Sequence, residues 1–233
     1  MLRRQHGEAA QRVARRAARI DRHDHRQHGA LALAAARPRQ GPRDRQHPGL
    51  HAAGREGRPR CTGPTRIVVG KPNLQTPLLT ATMKYITVNP TWNVPPSIIN
   101  NEYLPALAQD PTVLTRMGLK IEHNRDGTVH IYQPPGDGNA LGRVRFNFPN
   151  RFLVYQHDTP DKHLFAHDAR AYSHGCMRVQ DPPKYAEVLL NLVRPTEGWT
   201  AERIKRMYGN AEVDIQFPTH IPVNLTYQTA VRR

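Results

Sequence analysis

One stretch of the chain sets the parts of a nucleophilic site close together. HDTPDKHLFAHDARAYSHGC (157–176) opens on His157 and closes on Ser173, His174, Gly175 and Cys176. The only other cysteine is Cys61. A free thiol has a pKa of about 8.5, so little thiolate exists at neutral pH unless an imidazolium lies beside it. His174 stands two residues before Cys176 and would share its side in an extended segment, whereas His157 must reach it from a neighbouring strand. Gly175 lets the backbone turn tightly, so amides near Cys176 could face a tetrahedral oxyanion. Arg178 is placed to grip a carboxylate through paired hydrogen bonds. The plain alternative is a packed cysteine and structural histidines, since the chain has 13 histidines. A zinc site on His157, His174 and Cys176 is the chemical rival, with His163, His167 or Asp158 as a fourth ligand. No C-x-x-C or H-E-x-x-H supports it.

These residues need a scaffold, and the sequence from Thr65 onward supplies one. TRIVVG (65–70) and MKYITVN (83–89) read as strands joined by a polar, proline-marked connection. A proline-punctuated helical segment follows, with Ser97 and Asp110 as candidate caps and Pro105 forcing a kink or an end. It looks like a lid inserted between strands at about 90–120, and Trp92 either lines a groove or anchors the insert. GLKIEHN and TVHIYQP flank Arg125-Asp126-Gly127, a hairpin signal. PPGDGNALG (134–142) lacks the Lys-Ser/Thr ending of a phosphate-binding loop. VRFNF and FLVYQH alternate with period 2 and read as paired strands, which puts His157 at a strand end. Asp181 caps a helix whose apolar face is Tyr185, Val188, Leu189 and Leu192; Thr200–Tyr208 is another helix, and VDIQF and IPVNLTYQTAV close the chain as strands.

Residues 1–64 differ in kind. The first 65 residues hold fifteen arginines, six histidines, five acids, no lysine and no aromatic residue, so they carry about +10 of the net +15. The charge therefore says little about the partners of the folded part. Such a segment is expected to be a disordered basic tail. It could be an arm for nucleic acid or lipid, a solvated tail, or sequence read out of frame from GC-rich DNA. The third reading is preferred, and no nucleic-acid partner is expected; retranslating the other two frames tests it. Both cysteines read as free thiols. No apolar run is long enough to span a bilayer, and no signal peptide is visible.

The segments YITVNPTWNVPPSI (85–98), GNALGRVRFNFPN (138–150), VYQHDTP (154–160) and SHGCMRVQDP (173–182), in that order, resemble the L,D-transpeptidase (YkuD) catalytic domain family, most closely its large periplasmic Gram-negative branch. The resemblance covers roughly residues 65–230. It implies a mainly β fold with a few helices, a β-sandwich with an inserted helical lid, occupying 65–233. It implies that Cys176 attacks a tetrapeptide stem of peptidoglycan and that an amine of another stem resolves the thioester. His157 would pair with the thiol and His174 would shape the site. Arg178, Ser173, Gly175, Tyr155, Asn139 and Trp92 would contact or support substrate. It implies no metal or organic cofactor, a monomer, and a place in the periplasm or cell envelope. Relatives carry strands ahead of the position of Thr65 and continue beyond TYQTAVRR, so the alternative expectations are an inactive remnant or non-catalytic wall-binding protein, then the zinc hydrolase.

Overall fold

The computed structural model describes residues 65–228 and, ahead of them, three short strands: β1 (Ala30–Leu31), β2 (His51–Ala53) and β3 (Pro59–Cys61). β2 pairs with β3, and β1 pairs with the last strand, β14 (Tyr227–Gln228). The expectations of a disordered, out-of-frame tail fall otherwise on residues outside the described set.

The main sheet has seven strands, from β4 (Ile67–Gly70), β5 (Leu79–Val88), β9 (Val144–Asn147), β10 (Gln156–His157), β11 (Ala171–Ser173), β12 (Met177–Val179) and β13 (Val213–Leu225). Their order is β11-β4-β12-β10-β9-β5-β13. β5 begins at Leu79, earlier than the β-branched run alone indicates, because β13 pairs with it along its whole length. The ladder shifts between Gln216 and Ile221, and Pro218 falls inside that irregularity, where no ladder hydrogen bond is lost to it. Only Gln156–His157 of the FLVYQH run is strand; Asn150 takes up the turn before it, bonding the carbonyls of Phe148 and Val154.

Side chains alternate across a strand, so the register sorts this sheet into two faces. Ile86, Val88, Val144, Phe146, Met177, Val179 and Ile215 form the apolar face. The helix α4 (Pro182–Val193) covers it with Tyr185, Ala186, Leu189 and Leu190. Each large side chain fully buried there contributes about 1.5–3 kcal/mol. Asp181 caps this helix as expected, its carboxylate accepting from Lys184 N–H. Helix α5 (Ala201–Arg206) starts at Thr200, whose hydroxyl accepts from Arg203 N–H, and adds Ile204 to the same core. The mainly β class with few helices is therefore what the sequence pattern implied.

The opposite face of the sheet is polar and lies under the insert. The insert has β6 (Trp92–Asn93), β7 (Lys120–His123) and β8 (Val129–Gln133) in the order β6-β8-β7, so it runs on past residue 120. Its helical part is α1 (Pro96–Ile98), a π-helical turn (Ile99–Tyr103), α2 (Leu104–Gln109) and α3 (Val113–Arg116). Pro95 rather than Ser97 stands at the first cap, and the prolines preset the helical φ. Pro105 is accommodated by the π turn, in which Leu104 N–H reaches back to Ile99. Val94, Ile99, Tyr103, Leu114, Leu119 and Ile131 make a small core separate from the main one.

Candidate active site

β10 runs parallel to β12, with Gln156 opposite Met177 and His157 opposite Arg178. On its other side His157 lies opposite Arg145 of β9. Tyr155, His157, Arg145 and Arg178 therefore share the polar face, and Cys176, two residues before Arg178, starts out on that face too. Gly175 makes the turn just ahead of the thiol at φ +116°, a conformation an L side chain rarely adopts.

The loop is held from below by contacts that fix the thiol. Ser173 Oγ accepts from Gly175 N–H at 3.1 Å and donates to the Cys176 carbonyl at 2.5 Å. Thr76 Oγ1 donates to the Gly175 carbonyl at 2.9 Å and accepts from Gly70 N–H at 3.0 Å. Ser173 is buried and spends its hydroxyl on the loop backbone. Thr76 sits in a polar stretch that gives no sequence signal, because its role depends on a partner 99 residues away.

His157 is buried, and its Nδ1 donates to the Asp158 carbonyl. That leaves Nε2 with the lone pair. Burial, with the guanidiniums of Arg178 and Arg145 close by, pushes the imidazole down to about 3, against the carbonyls of Asp158 and Leu141. Burial likewise pushes the Cys176 thiol up to about 11, although a backbone hydrogen bond from Tyr155 and the charge of Arg178 pull it down. The sequence suggests an imidazolium that depresses the thiol. The resting site is instead a neutral imidazole beside a neutral thiol, because both charged forms are desolvated and two arginines already supply positive charge. No hydrogen bond joins the thiol to either imidazole among the described residues.

Arg178 Nη1 donates to Asp161 Oδ2 at 2.8 Å, while its Nε is buried without a partner. An unsatisfied buried donor costs about 1–3 kcal/mol, so this N–H is suited to an acceptor brought by a ligand. Arg145 was not singled out from sequence, although a charged residue alternating with Asn147 in VRFNF is the signal for a polar sheet face. Its guanidinium bonds Asn147 Oδ1 at 2.7 Å and lies 5.8 Å from the Tyr155 ring centre. Thr87 Oγ1 accepts from Asn147 and donates to Asp214, extending the network across the face.

The remaining predicted residues take distinct places. Tyr155 stacks its edge near His157 with ring centres 5.8 Å apart, and its hydroxyl is pushed up by burial and by Cys176. The Trp92 side chain comes near that hydroxyl and meets Tyr103 edge-on at 6.4 Å, so it brings insert and sheet together. Asn139 donates to the carbonyls of Pro90, Gln133 and Pro134 and accepts from Leu141 N–H, which pins the entry of the insert to its exit. His174 is engaged by the insert, its Nε2 2.7 Å from Glu102 Oε1 of the π turn.

The zinc alternative finds no ligand set. Asp158 is taken up by Arg143 N–H, Thr159 N–H and Lys162, and His167 bonds Tyr172. Among the described residues, no group of three or more His, Cys, Asp or Glu is arranged to hold an ion.

A half-buried thiol at a glycine turn, an imidazole on the adjacent strand and a separately cored insert belong to one mainly β domain. The chain belongs to the L,D-transpeptidase catalytic domain (YkuD) family, whose model matches residues 33–215. It is similar to a protein of Haemophilus influenzae described as "Putative L,D-transpeptidase", with 31% identity over 183 residues, 71% of this chain and 36% of that relative. The chain thus spans little more than a third of the relative's length.

Proposed function

We propose that the chain is a peptidoglycan L,D-transpeptidase acting in the cell envelope, with Cys176 as nucleophile and stem peptides as donor and acceptor. The observation that carries this reading is the sharing of one sheet face by Cys176, His157 and an Arg178 whose buried Nε has no partner. Membership of the family supports the reaction class. No helix of the described residues is long and apolar enough to cross a membrane.

In this mechanism the donor carboxylate engages Arg178 and sets the scissile carbonyl against Cys176. His157 Nε2 takes the thiol proton as Sγ bonds to the carbonyl carbon. Collapse of the tetrahedral intermediate breaks the C–N bond, and His157 returns the proton to the departing D-alanine amine. The amine of a second stem, losing a proton to His157, then attacks the thioester and frees the thiol. The two arginines favour the neutral imidazole, so His157 enters each half-reaction able to accept a proton.

The test pairs mass spectrometry of a carbapenem-treated sample with chromatography of tetrapeptide stems. A covalent adduct lost in Cys176→Ala, together with released D-alanine and cross-linked dimer, is the expected result. A folded protein giving neither sinks the proposal and favours a non-catalytic wall-binding role. Activity abolished by a chelator would point to the zinc hydrolase.

A further inference from the structure

The insert meets the site in two places, at Tyr155 beside β10 and at His174 in the loop before Cys176. Trp92 comes near the Tyr155 hydroxyl, and Glu102 Oε1 meets His174 Nε2 at 2.7 Å. Glu102 stands on the π turn, where the extra residue per turn redirects side chains. Its neighbours Ile99 and Tyr103 are buried in the insert's own core, so the direction of Glu102 is set by packing. At the other end the insert is pinned to the sheet. Asn139 bonds Pro90 at its entry, and Glu212 accepts from Thr91 N–H at 2.6 Å. The insert is thus a body with its own core, anchored at 90–91 and 133–139 and joined through Glu102 to His174, two residues before Cys176.

The contact also fixes a tautomer. A carboxylate only accepts, so Nε2 of His174 carries the proton, and in the neutral ring the lone pair lies on Nδ1. This is the reverse of His157, whose Nδ1 is the donor. Replacing Glu102 frees both the insert and the ring.

We propose that Glu102 is a positioning residue that clasps the insert to His174 and so sets access to Cys176 and the orientation of the His174 ring. The inference rests on the acyl-transfer reading for its purpose, but its test does not. In a Cys61→Ser background, exchange of Cys176 with a small neutral aromatic disulfide is timed at fixed pH for the parent, Glu102→Gln and Glu102→Ala. Both groups of the pair are partly exposed, so its loss shifts the open population modestly, and exchange should rise about three- to five-fold in Glu102→Ala. Glu102→Gln, which keeps an acceptor, should fall between. Amide hydrogen exchange should quicken at 99–109 and stay unchanged in β9 and β12. With stem substrate, kcat should fall more than KM rises, and Glu102→Asp should restore part of it. An exchange rate in Glu102→Ala within a factor of two of the parent, with quiet amides at 99–109, overturns the clasp. Accelerated thiol exchange in a protein that never releases D-alanine keeps the clasp and removes the transpeptidase reading.

Discussion

The neutral resting pair makes a sharp claim about how Cys176 responds to pH. Burial raises the thiol from 9.0 to about 11, which lowers the thiolate fraction at neutral pH about a hundredfold relative to an ordinary cysteine. A more basic thiolate is also the better nucleophile; with a Brønsted slope of about 0.4–0.5, two units give back roughly eightfold. The net expectation is exchange with a small neutral disulfide about tenfold slower at pH 7 than for an unhindered thiol. The rate should then climb tenfold per pH unit from 7 to 10 and bend only near 11. His157, held down to about 3, contributes no inflection in that window. The sign follows from the acid: a raised thiol pKa means the protonated form persists as pH increases, so reactivity keeps growing where an ordinary cysteine has levelled off. Stopped-flow absorbance on the Cys61→Ser protein measures the profile. A plateau beginning below pH 8 would show a preformed thiolate–imidazolium pair and refute the argument from burial and the two arginines.

Other perturbations follow from the same geometry. Arg178→Lys removes the orphaned Nε and the planar fork, and should lower kcat/KM about 10- to 100-fold, chiefly through KM, with the fold intact by circular dichroism. Gly142→Ala is expected to destabilise by about 2–5 kcal/mol in urea unfolding, combining a strained backbone with overpacking. Gly142 has φ +60°, and an added Cβ would come 2.4 Å from Asp158 Cγ. Asp181→Ala should cost about 0.5–2 kcal/mol by uncapping α4, leaving the thiol exchange profile unchanged.

Much of the scaffold is legible because its causes are local. The Asp181 cap with two prolines behind it, the helix opening at Thr200 and the turn around Gly127 are each decided within a few residues, and each stands where the sequence indicates; the cap that Thr200 makes is an addition from the structure. Elements whose ends depend on partners are less legible. β5 is longer than its β-branched run because β13 lies beside it, and β10 is shorter than its alternation because the chain must turn at Asn150. The insert extends past residue 120 because β6 pairs with β8, a contact that spacing along the chain does not reveal.

The site divides in the same way. Residue type and spacing pick out Cys176, His157 and Arg178, since a thiol, an imidazole and a guanidinium carry their chemistry with them. What each does depends on surroundings contributed by distant strands. Burial and the two guanidiniums make the imidazole neutral, Ser173 and Thr76 are spent on holding the loop, and Asn139 is spent on pinning the insert. His174, the histidine nearest Cys176 in sequence, is claimed by Glu102 from another element. Residue type and spacing alone nominate the candidate reacting groups. The tertiary structure decided their charge, tautomer and access, because desolvation and long-range hydrogen bonds are properties of the packed sheet and not of the neighbours along the chain.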